Sequence, residues 1–296
     1  MREVPEMLDH RSVKWSDVRR THYLVQQAFH YCYPGPVYDL EQLLIVVPAD
    51  VHGGQRLIAH EVAVSIPPAR MQVAFDRFGN RCYQLGVPHV DRAVRFDVWI
   101  EVQRDMDLPA HCGSHDLALY LRPTPLTEPD AALRSAAAEL RATGRSGLAL
   151  AETIMHWVYG AMQYSGQVTS IRTTAAQALA LGRGVCQDYA HIMLALCRSC
   201  GLPARYVSGH LLGEGGTHAW VEVLVGDDAQ PGSTLAIAYD PTHDRPAGLT
   251  YITVAVGRDY RDVAPTSGTF RGPCVGELTA HKRAGVVAIE PRSAVA

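Results

Sequence analysis

Three residues in the second half of the chain, Cys186, His218 and Asp240, have the types and surroundings that thiol chemistry needs. A thiol is a poor nucleophile until it loses its proton, and a free cysteine, with a pKa near ~8.5, is mostly protonated at neutral pH. Placing the sulfur in the first turn of a helix exposes it to the positive end of the helix dipole, worth roughly 0.3–1 kcal/mol. A neighbouring imidazole takes the proton and later returns it to a leaving amine. A carboxylate behind that imidazole fixes its tautomer and steadies its positive charge. Cys186 follows Gly182-Arg183-Gly184-Val185 at a predicted helix start. His218 opens a predicted strand, His218-Ala219-Trp220-Val221-Glu222-Val223, and Asp240 closes the next, in Tyr239-Asp240-Pro241-Thr242. If the two strands are antiparallel neighbours, both side chains stand at one sheet edge facing the helix start. The backbone N–H of Cys186 then suits a developing oxyanion.

The elements that must hold these residues can be read along the chain. Up to about residue 121 the pattern is β. Val18–Tyr31, Gln42–Val47, Arg56–Ile66, Met71–Phe75, Cys82–Val87 and Ala93–Val102 are short and rich in β-branched and aromatic residues. Turn-forming residues separate them, clearest in Asp76-Arg77-Phe78-Gly79-Asn80. This predicts an antiparallel β-sandwich over residues 18–121. Pro123, Pro125 and Pro129 then mark a boundary. Behind it, residues 126–296 read as an α+β core. Helices are predicted over Glu128–Thr143, Leu148–Met162 and Ala175–Leu181, the last capped by Thr173 or Thr174. A further helix runs from Cys186 to Gly201. Strands follow at Ala204–Leu212, Thr217–Val225, Thr234–Tyr239 and Tyr251–Val256, the first two joined by the loop Gly213-Glu214-Gly215-Gly216.

The motifs Gly-x-Cys-x-Asp-x-Ala at 184–190, Gly201-Leu202-Pro203-Ala204-Arg205-Tyr206-Val207-x-Gly209, His-Ala-Trp-x-Glu at 218–222 and Asp-Pro-Thr at 240–242 occur in that order. Together they resemble the transglutaminase-like superfamily, whose papain-like core packs a nucleophile helix on an antiparallel sheet. Asp76-x-Phe78-Gly79-Asn80 resembles the N-terminal β domain of its bacterial members, and the stretch from Val256 to Gly272 resembles their C-terminal end. The resemblance implies that Cys186 is the nucleophile, His218 the general base and acid, and Asp240 the orienting group. It also implies an upstream side chain in the oxyanion hole, for which Tyr164 is the candidate by position. The implied function is hydrolysis of an amide or isopeptide bond in a peptide or protein through an acyl-thioester on Cys186. The alternatives are transfer of that acyl group to an amine, and a non-catalytic interaction module. An arylamine acetyltransferase reading fits the motifs poorly.

Other signals have plainer readings. Cys197 and Cys200 fall in the last turn of their helix with no second pair at ligand spacing, so no metal site is assigned. His111-Cys112-Gly113-Ser114-His115 reads as a loop, His243-Asp244 as a solvated turn, and His191 as packing. Gln187 and Asp188 either line the cleft or cap the helix. Trp220 and Glu222 are either substrate contacts, or a core ring and an exposed acid. A net charge of −3, with 47% hydrophobic and 19% charged residues, describes a globular chain without the basic stripe of a nucleic-acid binder. No acidic loop has calcium-ligand spacing, and no cofactor is expected. With no apolar run of spanning length, no secretory signal and an odd seven cysteines, the expectation is a cytoplasmic protein with reduced thiols and no membrane partner.

Overall fold

The computed structural model describes residues 6–105, 110–112, 117–227, 230 and 233–292. The chain first lays down strands β1 (Val18–Cys32), β2 (Val37–Leu44), β3 (Val51–His52), β4 (Gln55–Val64), β5 (Arg70–Phe75), β6 (Arg81–Val90) and β7 (Ala93–Asp105). These are the six expected strands, with β3 added. Alternation decides which face goes inward: in β7, Val94, Phe96, Val98, Ile100 and Val102 are buried while their neighbours are not. They pack against Tyr23, Val25 and Phe29 of β1, Leu40 and Leu44 of β2, and Tyr83 and Leu85 of β6. The result is an antiparallel sandwich. The turn at residues 76–80 forms as predicted, with Asp76 Oδ1 accepting from the backbone N–H groups of Phe78 and Asn80 at 2.8 and 2.9 Å.

A short strand β8 (Ala110–Cys112) comes next; residues 113–115 of the segment read as a loop lie outside the described residues. Helices α1 (Leu117–Leu121), α2 (Ala131–Ala142) and α3 (Gly147–Ala161) lead through β9 (Gln163–Tyr164) to α4 (Ala175–Leu181), β10 (Arg183–Gly184) and α5 (Cys186–Ser199). Side-chain caps set two of the starts. Asp130 accepts from Leu133 N–H at 2.9 Å, and Thr174 and Gln177 form a reciprocal capping box. Strands β11 (Ala204–Leu211), β12 (His218–Gly226), β13 (Thr234–Asp240), β14 (Arg245–Pro246) and β15 (Tyr251–Gly257) complete the second half's sheet, followed by α6 (Tyr260–Val263). Their order is β14-β13-β12-β11-β15, all antiparallel, with β8 also paired to β13. Residues 187–198 of α5 are all buried, sealed by this sheet on one side and by α2, α3 and α4 on the other.

The end of the chain was placed in the core by the sequence reading, but it returns to the sandwich. Strand β16 (Thr266–Arg271) pairs with β2, and β17 (Glu277–Pro291) pairs along the whole of β1. The two sheets of the sandwich therefore run β17-β1-β7-β4-β3 and β16-β2-β6-β5.

Side chains of the sandwich also finish the core's exposed edge. Strand β15 is the last in its sheet, and an open edge leaves N–H and C=O groups unpaired. Two primary amides fill the gap, each imitating a peptide group. Gln55 donates to Thr253 O at 2.6 Å and accepts from Thr253 N–H at 2.8 Å. Asn80 makes the same pair of bonds with Val256, both at 2.8 Å. A third tie corrects an expectation. Glu222, expected to be either a substrate contact or an exposed acid, is only 3% exposed because the sandwich covers that face. It accepts from Arg205 Nε at 2.7 Å and pairs with His52 Nε2 at 2.8 Å. Burial pushes its carboxyl up, but Arg205 and His52 outweigh that and lower it to about 2.

Removing one partner from a buried ion pair leaves an uncompensated charge. Arg205→Ala is therefore expected to lower the unfolding free energy by about 3–5 kcal/mol. Urea denaturation measures this, and a loss within the ~1 kcal/mol of a surface pair would contradict the buried-anchor assignment.

Candidate active site

The site starts from how α5 begins. Val185 occupies the N-cap and has no side-chain oxygen to offer. Asp188, three residues into the helix, reaches back instead, and its Oδ2 accepts from Val185 N–H at 2.8 Å and from Thr169 Oγ1 at 2.7 Å. That is the acidic half of a capping box. Gly184 makes room for it, since a Cβ there would lie 2.5 Å from Asp188 Oδ2. Asp188 is thus a cap, 1% exposed, and burial raises its carboxyl against the lowering effect of Thr169 and Val185. Gln187 beside it is also buried. Cys186 remains half-buried at the first residue of the helix.

Strands β12 and β13 supply the other two residues. Their register pairs Val221 with Tyr239, which brings His218 at the start of β12 to Asp240 at the end of β13. His218 Nε2 donates to Asp240 Oδ2 at 2.8 Å, and both side chains are closed off from solvent. Behind the imidazole, Trp220 lies near-parallel at 6.2 Å and Tyr251 at 6.1 Å. Trp220 is 1% exposed, so it is a wall of the core rather than a contact surface. Gly209, opposite His218 across β11 and β12, has to be glycine: a Cβ there would strike the Ile252 carbonyl oxygen and the Trp220 ring.

Asp240 is fully buried, and its oxygens are filled from several elements. Oδ2 accepts from His218 Nε2, from His243 Nδ1 at 2.8 Å and from Tyr251 OH at 2.7 Å. Oδ1 accepts from Thr242 N–H at 2.9 Å. Burial raises this carboxyl, but the bonds from His218, His243 and Tyr251 hold it well below the usual range. His218 shows the complementary balance. Burial alone would lower it, while the hydrogen bond with Asp240 and the neighbouring Cys186 and Glu214 raise it well above an ordinary histidine. With Nε2 committed to Asp240, Nδ1 is the nitrogen left for the thiol. It is buried without a well-formed hydrogen bond, and Glu214 Oε2 stands 3.4 Å away.

Sequence reasoning missed Glu214, His243 and Tyr251. Glu214 lies in the glycine loop between β11 and β12, where an acid reads as part of a turn. It stands 3.4 Å from both His218 Nδ1 and His243 Nε2, and hydrogen bonding with these rings lowers it to about 2. His243, read as a solvated turn residue, is about one-third exposed and bonded to Asp240. Its spacing of three residues from the aspartate was the one available signal. Tyr164, the oxyanion candidate, sits on β9, which pairs in parallel with β10 and sets it opposite Gly184. It is 59% exposed, and its phenol is raised by partial desolvation and by the neighbouring Cys186 and Glu214. His191 is a packing residue, buried and accepting from Tyr260 N–H at 3.2 Å. Cys197 is buried at the far end of α5, and both it and Cys200 are free thiols.

Both halves of the chain are similar to known proteins. Residues 134–232 match the family model of the transglutaminase-like superfamily, and residues 23–103 match that of the bacterial transglutaminase-like N-terminal region. An uncharacterized protein of Mycobacterium leprae is 40% identical over 126 residues, covering 39% of this chain and 42% of that protein. The chain thus spans less than half of that relative. An uncharacterized protein of Mycobacterium tuberculosis is 29% identical over 246 residues, 72% of this chain and 76% of that one. Among solved structures, "a Putative Cysteine Protease from Cytophaga hutchinsonii" superposes with a TM-score of 0.75 at 19% identity, covering 92% of each chain. That likeness establishes the fold. Among the described residues, no helix is long and apolar enough to cross a membrane.

The ring of charges gives a pH prediction. Hydrogen bonds with Asp240 and Glu214 raise His243 to about 9. A raised histidine contributes stability that is full below the unfolded value of about 6.5. That contribution is lost as pH rises through about 9. Glu214→Gln removes the negative charge of one of the two acceptors, so the His243 midpoint, followed by NMR, should move back toward that of an ordinary histidine. An unchanged midpoint would show that Glu214 does not act on the ring.

Proposed function

We propose that this chain, which belongs to the transglutaminase-like superfamily, is a thiol hydrolase that cleaves an amide or isopeptide bond through an acyl-thioester on Cys186. One observation carries the reading. The His218 imidazole is held by Asp240 through Nε2, while Nδ1 makes no formed hydrogen bond and the ring interacts with Cys186, a half-buried thiol at a helix N-terminus.

Each side chain then has a role that its surroundings support. The imidazolium beside the sulfur favours the thiolate. The thiolate attacks the carbonyl carbon, and the negative charge gathers on the carbonyl oxygen. The Cys186 N–H at the start of α5 and the Tyr164 hydroxyl are the proposed donors to that oxygen. Nδ1 of His218 gives its proton to the amide nitrogen, the C–N bond breaks, and the amine leaves. Water then attacks the thioester, passes a proton to Nδ1 and releases the acid as the C–S bond breaks. Asp240 keeps the ring oriented throughout and stays ionised. Asp188 holds the α5 start, and Trp220 and Tyr251 keep the ring from turning.

The test is site-resolved alkylation with iodoacetamide, followed by mass spectrometry across pH, in wild type and His218→Ala. Cys186 should react well below pH 7 while Cys197 does not, and His218→Ala should remove that advantage. An unreactive Cys186 in the folded protein would sink the catalytic reading. With a turned-over peptide amide in hand, Cys186→Ala should lower kcat/KM by at least ~10³-fold. Adding a primary amine then separates hydrolysis from acyl transfer: a new amide product at the expense of free acid would replace the hydrolase by a transamidase.

A further inference from the structure

We propose that His218, Asp240 and His243 form a binding site for a zinc-class divalent cation, and that metal held there switches the thiol site off. The three donor atoms lie within 4.8 Å of one another. They are the imidazole and carboxylate types that zinc and its neighbours take. His218 Nε2 and His243 Nδ1 already point at the same oxygen, Asp240 Oδ2, each at 2.8 Å.

What surrounds the three donors strengthens the assignment. Metal-binding histidines commonly donate their other ring nitrogen to a carboxylate, which fixes the tautomer and raises basicity. Here one carboxylate serves both rings: Glu214 stands 3.4 Å from His218 Nδ1 and 3.4 Å from His243 Nε2. Asp240 is oriented in turn by Tyr251 OH on Oδ2 and by Thr242 N–H on Oδ1. Access comes from one side, where His243 and Glu214 are each about one-third exposed while His218 and Asp240 are closed off. Charge also fits. Two carboxylates face two imidazoles, so a dication replacing two ring protons leaves the net charge of the group unchanged. Zinc bonds of ~2.0–2.1 Å at tetrahedral angles place donors roughly 3.3 Å apart. The two 2.8 Å separations therefore have to open by about 0.5 Å, on one side by a shift of the one-third-exposed His243 and on the other by a small shift of His218 against Asp240.

The consequence for the thiol rests on the proposed function. A neutral imidazole has one basic nitrogen. When metal holds the lone pair on Nε2, Nδ1 keeps its hydrogen and can no longer take a proton from Cys186. The same residues then serve either the nucleophile or the metal, and the two states exclude each other. This differs from ordinary poisoning of a thiol, in which the sulfur itself is the ligand.

The experiment separates the two by removing the sulfur. Zn²⁺ is titrated by calorimetry into the full-length Cys186→Ala protein and into the double variant Cys186→Ala/His243→Asn, with thermal melting to check that both are folded. One equivalent should bind to Cys186→Ala, and the His243→Asn change should weaken it at least 100-fold. Co²⁺ in place of Zn²⁺ should give d–d absorption without a thiolate charge-transfer band. Loss of binding in Cys186→Ala, or equal binding by both variants, would overturn the site. Saturating Zn²⁺ should also slow alkylation of wild-type Cys186 at least tenfold. Zn²⁺ bound as expected to a protein whose metal-free thiol is unreactive would keep the metal site and reject the hydrolase.

Discussion

A carboxylate with no solvent exposure governs the arrangement of the site. Burying Asp240 as an anion costs several kcal/mol unless the protein replaces the lost water, and four donors do so. They come from β12, from the start of β15 and from the turn after β13. That requirement ties the β12–β13 register, the position of Tyr251 and the fold of residues 241–243 to one point. The orientation of His218 follows, because the imidazole is one of the four donors and has Trp220 and Tyr251 packed beside it.

The helix that carries Cys186 is governed differently, by apolar packing rather than by polar convergence. Nearly every residue of α5 is buried, so its direction is set by the surfaces around it. Polar devices hold its two ends: the Asp188 cap made possible by Gly184 at the first turn, and at the last the buried Arg198, which donates to Tyr120 O, Thr127 Oγ1, Ala204 O and Arg258 O. Cys186 and His218 are thus held by different means. The sandwich enters at a third point, through the amide side chains on β15 and the His52–Glu222–Arg205 group, and so steadies the sheet from the side away from α5.

Much of this was legible in the sequence, for identifiable reasons. The six main strands of the sandwich are rich in β-branched and aromatic residues and separated by turn formers, and α2, α3, α4 and α5 show helical spacing with caps or glycine stops. Cys186, His218 and Asp240 stood out because each sits at the end of an element, where a side chain can leave the packed interior. What escaped notice depended on contacts distant in the chain. Glu222 looked exposed because nothing local reveals that the sandwich covers β12. Glu214 looked like turn filler because its partners belong to β12 and to the turn at 243. Strands β16 and β17 escaped because they are polar and exposed along much of their length. An edge strand stabilised mainly by ladder hydrogen bonds carries little hydrophobic pattern to read.

The pairing of β1 with β17 has a consequence for how the molecule comes into being. A chain made on the ribosome emerges N-terminus first, and residues 18–32 must wait for residues 277–291 before their sheet is whole. Closing so long a loop is entropically slow, and unpaired edges are exposed meanwhile. Strand β17 also brings Lys282, whose ammonium donates to the Gly216 carbonyl in the loop that carries Glu214. A much later stretch of the chain therefore locks the loop beside His218. A polypeptide that has emerged only as far as β15 holds Cys186, His218 and Asp240 without the finished surroundings, which arrive with β17.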